Sequence, residues 1–228
     1  MGVKSTLFLF VGVNMKVLGL DPSLTNFGWA IIDTDKPSGD KSRCVAKGLI
    51  KTQAKMEFIE RYKHQRQHLK DLIEQYEPDY VGIEFPVFNN LWSEGMYGLF
   101  LFCCEALKDT KCDVVFWSPL QVKAYARLLI DRPKGWAMDK MDMCEAAKVD
   151  GGFGRINHNE ADAYHVARLS ASFWNFYLGN TTESLLNSVE KKYFTKEHTF
   201  SRGKKAGKTV RTGMMYREED RFFLWSQK

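Results

Sequence analysis

The amino-acid sequence predicts an α/β domain, a mixed β-sheet flanked by helices, followed by a basic C-terminal extension. Three strand-like apolar runs come first, and helices and strands then alternate along the chain, which is the order typical of this fold class. With 228 residues, 44% of them hydrophobic, the chain is long and apolar enough for one domain with a buried core plus extensions.

The first half of the predicted domain contains three strands and one long helix. Turn-forming residues separate the apolar runs, most clearly in the Asp-, Lys-, Pro-, Ser- and Gly-rich segment 33–42. Apolar residues then recur at helical spacing until Pro78, and a proline disfavours helix at the residue before it. The predicted elements are strands at 16–21, 27–33 and 44–51 and a helix at 56–76.

In the second half, short apolar strands alternate with helices. Ser118 and Pro119 stop one of these strands, and Gly151, Gly152 and Gly154 indicate a loop before the final amphipathic helix. The predicted elements are strands at 80–84 and 113–117 and helices at 95–107, 120–130, 139–148 and 159–177, the last of them capped by Asn159.

The chain divides into an N-terminal extension (1–15), a central domain (16–178) and a C-terminal extension (179–228). The strand pattern becomes clear only after Met15, so Met15 is a candidate for the natural start. Between Lys191 and Arg211 there are eight lysines and arginines against a single acid, Glu197. This composition predicts a mobile or hairpin-like basic appendage outside the core.

Net charge and cysteine usage limit the class of protein. A net charge of +5 is compatible with a polyanionic partner. The five cysteines form no C-x-x-C pair and no Cys/His spacing typical of zinc, and their odd number indicates a reducing compartment. The apolar run 7–13 is too short to cross a membrane. We therefore expect a cytoplasmic protein with no membrane partner.

Asp21 is the first candidate site residue. It ends the strand at 16–21, and a turn rich in Ser, Thr and Gly follows it. Nucleases of the ribonuclease H type hold Mg²⁺ on such a carboxylate, whereas actin-like and sugar-kinase ATPases place ATP phosphates beside it. An Asp that only caps the turn is a third interpretation.

Two further acids lie at comparable points of the predicted fold. Glu84 ends the strand at 80–84, and Asp162 lies where the last helix begins. If the two strands are neighbours, Asp21 and Glu84 converge at one edge of the sheet. Three clustered carboxylates repel one another unless cations neutralise them, and oxygen ligands suit Mg²⁺, with Mn²⁺ as a substitute. Two such ions about 4 Å apart can support phosphodiester hydrolysis.

Four motifs in order give a specific resemblance. They are G-L-D-P-S-x-x-x-x-G-W-A (19–30), P-D-Y-V-G-I-E (78–84), S-P-x-Q-V-K (118–123) and N-E-A-D-A-x-x-V-A (159–167). Over about two-thirds of its length, the chain resembles the RuvC family of Holliday-junction resolvases. The resemblance implies a ribonuclease H-like fold, a homodimer and paired symmetric cuts across a four-way DNA junction.

Carried over by position, the resemblance assigns roles to single residues. It makes Asp21, Glu84 and Asp162 the metal ligands, and it makes Lys123 and Lys140 basic residues near the scissile phosphate.

The family also has an aromatic wedge just past the second acid. The expected position is Val87, which Phe85 and Phe88 flank, and the resemblance implies a DNA contact by Phe88. Core or dimer contacts by these aromatic residues are the other interpretation.

The chain departs from the family at the fourth metal-site residue. The family has Asp or His three or four positions before the last acid. The residue three positions before Asp162 is Asn159, a poor Mg²⁺ ligand, and the residue four positions before is His158. Three alternatives stay open for the replacement: His158 as a ligand or general acid/base, Glu160, or neither of them.

The main hypothesis is a Mg²⁺-dependent endonuclease that resolves branched DNA in a bacterial cell, encoded by the cell or by a bacterial virus. A junction-binding protein of the same fold without activity is the first alternative. An actin-like or sugar-kinase ATPase is the second, but it needs a second lobe for which about 160 core residues leave no room.

Overall fold

The computed structural model describes the chain in ranges separated by short gaps. These are residues 14–36, 40–85, 94–108, 110–133, 135–195, 197–199, 201, 207, 209–211, 215–218 and 221–224. The strands are β1 (Lys16–Asp21), β2 (Asn26–Asp33), β3 (Cys44–Lys51), β4 (Tyr80–Glu84), β5 (Asp113–Trp117), β6 (Glu197–Thr199), β7 (Thr209–Arg211), β8 (Met215–Glu218) and β9 (Arg221–Leu224). The helices are α1 (Phe58–Tyr76), α2 (Glu94–Lys108), α3 (Pro119–Leu129), α4 (Lys140–Gly151), α5 (His158–Tyr177) and α6 (Ser188–Phe194).

The sheet at the centre of the fold is mixed, as the sequence predicts. Its strand order is β3-β2-β1-β4-β5-β8-β9. Strands β1, β4 and β5 run parallel to one another, and each further pair in this sheet is antiparallel. Strands β6 and β7 pair with each other in a separate antiparallel ribbon. The parallel centre brings the carboxyl ends of β1 and β4 to one edge of the sheet.

Helices cover the sheet on both faces, and each face has its own apolar core. Successive residues of β1 point to opposite sides, so that Val17 belongs to one cluster and Leu18 to the other. The Val17 cluster includes residues of α3, α4 and α5, and the Leu18 cluster includes residues of α1 and α2. In the described ranges, no helix has the length and apolarity needed to cross a bilayer.

The predicted cap of α5 and the predicted end of α4 are wrong. Helix α5 begins at His158 and is capped by Asn157 rather than Asn159. The reason is a capping box, in which the Asn157 side chain accepts from the Asn159 N–H while Glu160 accepts from the Asn157 N–H. At the other boundary, Gly151 belongs to the end of α4, and the chain turns at Gly152 in the left-handed region.

Part of the predicted C-terminal extension joins the domain. Phe194 at the end of α6 is fully buried and packs against the rings of Trp117 and Phe173. Strand β8 pairs with β5, which extends the central sheet beyond the predicted domain boundary at 178. Residues 1–13 of the predicted N-terminal extension lie outside the described ranges.

Candidate active site

Strands β1 and β4 bring the first two predicted site residues to the same edge of the sheet. The strands are parallel neighbours, and Leu20 lies opposite Ile83. The next residues on the two strands are Asp21 and Glu84, at the point where both strands end. The strand arrangement that the sequence analysis required for this pair is therefore present.

Helix α5 carries Asp162 to the same edge because glycines let it lie directly on the two strands. A side chain at Gly19 of β1 would collide with the carbonyl oxygen of Ala163, and one at Gly82 of β4 would collide with the Ser170 hydroxyl. A larger residue at Gly19 requires a shift of the helix backbone, and one at Gly82 requires side chains of the helix to move. The close packing of α5 on β1 and β4 thus determines the position of Asp162 relative to the ends of these strands.

The three carboxyl groups disfavour one another's ionised forms. Burial, and then the charges of Glu84 and Asp162, raise the pKa of Asp21 well above its usual range. Burial, and then the charge of Asp162, raise the pKa of Glu84 to about 8, and burial raises the pKa of Asp162 to about 6. Isolated carboxyl groups titrate near pH 4, so this cluster needs nearby positive charge to be fully ionised at neutral pH.

Two lysines supply part of that charge. Lys123 on α3 lowers the pKa of Glu84 and of Asp162, and Lys140 at the start of α4 lowers the pKa of Asp21 and of Asp162. Both lysine residues are exposed. The structure thus brings Lys123 and Lys140 within electrostatic reach of the carboxylates from two different helices, on the solvent side of the site.

The cluster fits an oxygen-ligated cation in chemistry and charge. The Asp162 Oδ1 atom is buried without a hydrogen-bond partner, so one ligand oxygen is unused by the protein. In the described part of the chain, no three His, Cys, Asp or Glu side chains already stand in an arrangement that holds a metal ion. Side-chain rotation must therefore draw the carboxylates together around a cation, and the repulsion between them is what such a cation would relieve.

His158 and Glu160, the two candidates for the fourth position, have different surroundings. His158 Nε2 lies 3.3 Å from Lys140 Nζ, and because an ammonium group only donates, Nε2 is the acceptor. Burial, and then the charge of Lys140, lower the pKa of His158. Glu160 instead accepts from the Asn157 N–H at 2.8 Å and forms an ion pair with Lys47 at 3.1 Å. Of the two, only His158 contacts another predicted site residue.

The predicted wedge residue, Phe88, lies outside the described residues. Its neighbour Phe85 is described, and its ring packs edge-on against Phe100 and Phe116. Phe85 is partly buried and packs against the Leu18 cluster, as expected of a core contact.

Sequence reasoning did not single out a second group of residues beside the site. Trp136 and Arg132, in the segment before α4, both bond to Asp142 on the first turn of that helix. The signal that could have located them is the Asp139-x-x-Asp142 pattern, which forms a capping box and places the start of α4 at Lys140.

Comparisons with known proteins agree on one family. Residues 17–126 match the family model "Crossover junction endodeoxyribonuclease RuvC". The protein of that name from Alkaliphilus metalliredigens is 39% identical over 75 residues, which are 33% of this chain and 44% of that relative. The one from Rickettsia felis is 37% identical over 70 residues, 31% of this chain and 43% of the relative. The chain thus spans less than half the length of these curated relatives.

Solved structures show the same fold. Thermus thermophilus RuvC in complex with a Holliday junction substrate matches with a TM-score of 0.57 at 18% identity, covering 73% of this chain and 97% of that chain. A second structure of Thermus thermophilus RuvC matches with a TM-score of 0.56 at 19% identity, covering 73% and 98%. At this level of identity the likeness concerns the fold.

Proposed function

We propose that the chain belongs to the RuvC family, whose model matches residues 17–126, and that it is a divalent-metal-dependent endonuclease that resolves four-way (Holliday) DNA junctions by paired symmetric cuts. The observation that carries the proposal is the mutual electrostatic coupling of Asp21, Glu84 and Asp162 at one edge of the sheet. Such a cluster is costly for a metal-free protein and suited to binding cations.

Asp21, Glu84 and Asp162 would hold Mg²⁺, for which Mn²⁺ can substitute. When bound, a metal pair supplies an activated water and neutralises the charge that develops on the leaving oxygen. The exposed ammonium groups of Lys123 and Lys140 orient the scissile phosphate toward the carboxylates by charge-assisted hydrogen bonds.

His158 is the proposed fourth residue of the site. Its lowered pKa keeps the imidazole uncharged at neutral pH, so that Nε2 can take a proton. The 3.3 Å contact with Lys140 orients the ring, and Nε2 becomes available to take a proton once the Lys140 ammonium group turns from it to the phosphate. Glu160 is less suited to this role because its carboxylate caps α5 and pairs with Lys47.

Branched DNA is the proposed partner, bound through its phosphates and its shape. The net charge of +5 favours a polyanion, and phosphate contacts position a protein on DNA without reading the sequence. Phe88 is proposed to contact bases at the branch point, by resemblance alone.

A homodimer is the proposed assembly, because two cuts placed symmetrically across a junction need two sites related by a twofold axis. Large apolar side chains on α1 and α2 are about half exposed, which is compatible with an interface on this side of the sheet. They are Phe58, Ile59, Tyr97 and Leu101.

The proposed location is the cytoplasm of a bacterium, with a bacterial virus as an alternative source of the gene. All five cysteines are free thiols, which fits a reducing compartment, and the relatives named above are bacterial.

One observation keeps a non-catalytic junction-binding protein as a second candidate. Within the described residues, the acidic side chains do not yet form a metal-holding group. Lys123 and Lys140 would hold DNA phosphates equally well in a protein that does not cut them.

A nicking assay on a synthetic four-way junction separates the two candidates. We expect the protein to cut the junction at symmetric positions with Mg²⁺, to leave it intact with EDTA, and to leave a linear duplex of the same sequence intact in both. Binding without cleavage in Mg²⁺ and in Mn²⁺ would favour the non-catalytic protein. Absence of junction binding would contradict both candidates.

A further inference from the structure

Trp136 is a half-exposed tryptophan held in one place by its polar atom. Its side chain is in the segment between α3 and α4, and the residue is 48% exposed. The indole Nε1–H donates to Asp142 Oδ2 at 2.8 Å, and the backbone N–H donates to the carbonyl of Pro133 at 3.0 Å. The hydrogen-bonding needs of the indole are therefore met inside the protein, while part of the ring faces solvent.

Arg132 also holds the Trp136 ring, and we call Arg132, Trp136 and Asp142 together the clamp. Its guanidinium carbon lies 5.5 Å from the centre of the Trp136 ring, within the range of a cation–π contact. The same guanidinium bonds Asp142 Oδ1 at 3.1 Å and Glu145 Oε2 at 2.9 Å. Arg132 and Trp136 are thus both tied to the first turns of α4, and the ring is pre-oriented before any ligand arrives.

The clamp and Lys140 of the candidate active site share the first turn of α4. Asp142, which anchors both side chains, is two residues after Lys140, about 3 Å along the helix axis. Lys140 contacts His158 and acts electrostatically on Asp21 and Asp162. Residues two apart on a helix do not share a face, so the indole and the Lys140 ammonium group are presented from different sides of the same first turn of α4.

The chemistry of the clamp suits a flat, apolar ligand with electron-rich edges. An indole ring backed by a guanidinium group offers stacking on its exposed surface, and nucleobases stack on both kinds of group. Bases inside a continuous duplex are already stacked on their neighbours, so that only a base at a discontinuity has a free face. A strand end, a bulge and the branch point of a junction are such discontinuities.

We propose that Trp136 stacks on a nucleobase exposed at the branch point of the DNA, and thereby makes the chain prefer branched DNA to linear duplex. The inference rests on the proposed function and adds a determinant of substrate choice to it. Stacking does not release counterions, so this contribution is independent of salt, unlike that of the lysines.

The test measures DNA affinity by fluorescence anisotropy in an Asp21→Asn background, so that the DNA stays intact. The probes are a synthetic four-way junction and a linear duplex of equal length, each titrated between about 50 and 200 mM salt. Trp136→Ala should weaken junction binding about tenfold, as expected for the loss of one stacked base. The affinity of Trp136→Ala for the duplex should stay within about twofold of that of the parent. The slope of affinity against salt should be unchanged for both probes.

Three further variants make the result specific. Trp136→Phe keeps a ring and should retain most of the junction affinity, whereas Trp136→Leu keeps apolar bulk without a ring and should behave like Trp136→Ala. Leu178→Ala serves as the matched control, because Leu178 is 45% exposed and follows the far end of α5, about 30 Å from its first turn. If Trp136→Ala unfolds, the junction affinities of Trp136→Phe and Trp136→Leu test the stacking role instead, and equal affinities would contradict it.

If Trp136→Ala and Trp136→Leu bind the junction as tightly as the parent, the stacking role of Trp136 is overturned, while the proposed function is unaffected. A parallel loss of junction and duplex affinity with a changed salt slope would also overturn it, in favour of a phosphate contact by this segment. If the Asp21→Asn parent itself shows no preference for the junction, the proposed function fails and this inference fails with it.

Discussion

Glu84 ends β4 among other acids, and burial and the nearby charge of Asp162 raise its pKa to about 8. A carboxyl group whose pKa is higher in the folded than in the unfolded chain takes up a proton on folding. Below the unfolded pKa of 4.5, the carboxyl group is protonated in both states and does not reduce the stability of the fold. As the pH rises from there through the folded pKa of about 8, the metal-free fold loses stability, because ionising Glu84 is harder in the folded chain. Residues that serve a metal site commonly weaken the fold without the metal.

The substitution Glu84→Gln should therefore stabilise the metal-free protein at alkaline pH. In EDTA at pH 8 we expect a gain on the order of 2 kcal/mol, which for a chain of this size raises the melting temperature by several degrees. At pH 4.5 the melting temperatures of parent and variant should nearly coincide. Mg²⁺ should raise the melting temperature of the parent at pH 8 but not that of Glu84→Gln.

Glu183→Gln is the matched control, because Glu183 is exposed on a short 3₁₀ turn away from the three acids. It should melt like the parent in EDTA and in Mg²⁺. A Glu84→Gln protein that melts below the parent at pH 8 in EDTA would show that the carboxylates do not strain the fold.

At the scale of single residues, the sequence indicates which element carries each acid of the proposed site but not what surrounds it. Asp21, Glu84 and Asp162 each lie next to a strong local signal, a strand end or a helix start. The choice between His158 and Glu160 depends on where α5 begins, and a shift of two residues in the cap decides which side chain faces Lys140. Trp136 belongs to no periodic pattern, and its orientation depends on contacts with the side chains of Arg132 and Asp142 that the sequence does not reveal.

Helix α5 is the element on which the geometry of the site depends. It lies across β1 and β4, and the missing side chains at Gly19 and Gly82 permit the close approach. The sequence predicts this helix and its small alanine face, but it does not reveal which strand glycines lie beneath them, because that depends on strand order.

The substitution Gly19→Ala should destabilise the fold by about 3 kcal/mol, since the new methyl group meets backbone atoms of Ala163 and Ala167 that cannot move aside alone. It should also lower junction cleavage, because Asp162 moves with the helix. Gly154→Ala is the control: a methyl group there meets no atom within 4 Å. Urea unfolding and the nicking assay measure both effects, and a Gly19→Ala protein as stable as Gly154→Ala would contradict the proposed packing of α5.

For the molecule as a whole, the C-terminal region is where composition misleads most. Its excess of lysine and arginine suggests an appendage, whereas Leu186, Val189 and Phe194 are buried in the core beside α3 and α5. Strand β8 pairs with β5 through residues more than 95 positions away in sequence. Such long-range contacts leave no periodic signal in a short, basic stretch, so only the folded structure shows them.

Two truncated chains test this part of the fold. A chain that ends at Gly179 loses Leu186, Val189 and Phe194 from the core, and we expect it to be destabilised by more than about 3 kcal/mol or not to fold. A chain that ends at Thr195 keeps these residues and should show a cooperative urea transition, with a smaller loss from the uncovered edge of β5. Equal stability of the two truncated chains would mean that α6 does not belong to the domain.

The central claim is that the carboxylate cluster cuts branched DNA, and the most direct test compares Asp21→Asn with Asp33→Asn on a synthetic four-way junction in Mg²⁺. Asp33 lies opposite Lys16, at the other end of the strand pair that contains Asp21, so the same substitution there leaves the cluster intact. We expect Asp21→Asn to bind the junction like the parent and to cut it roughly a thousandfold more slowly or not at all, while Asp33→Asn cuts at the parental rate. Full cleavage by Asp21→Asn in Mg²⁺ would contradict the assignment.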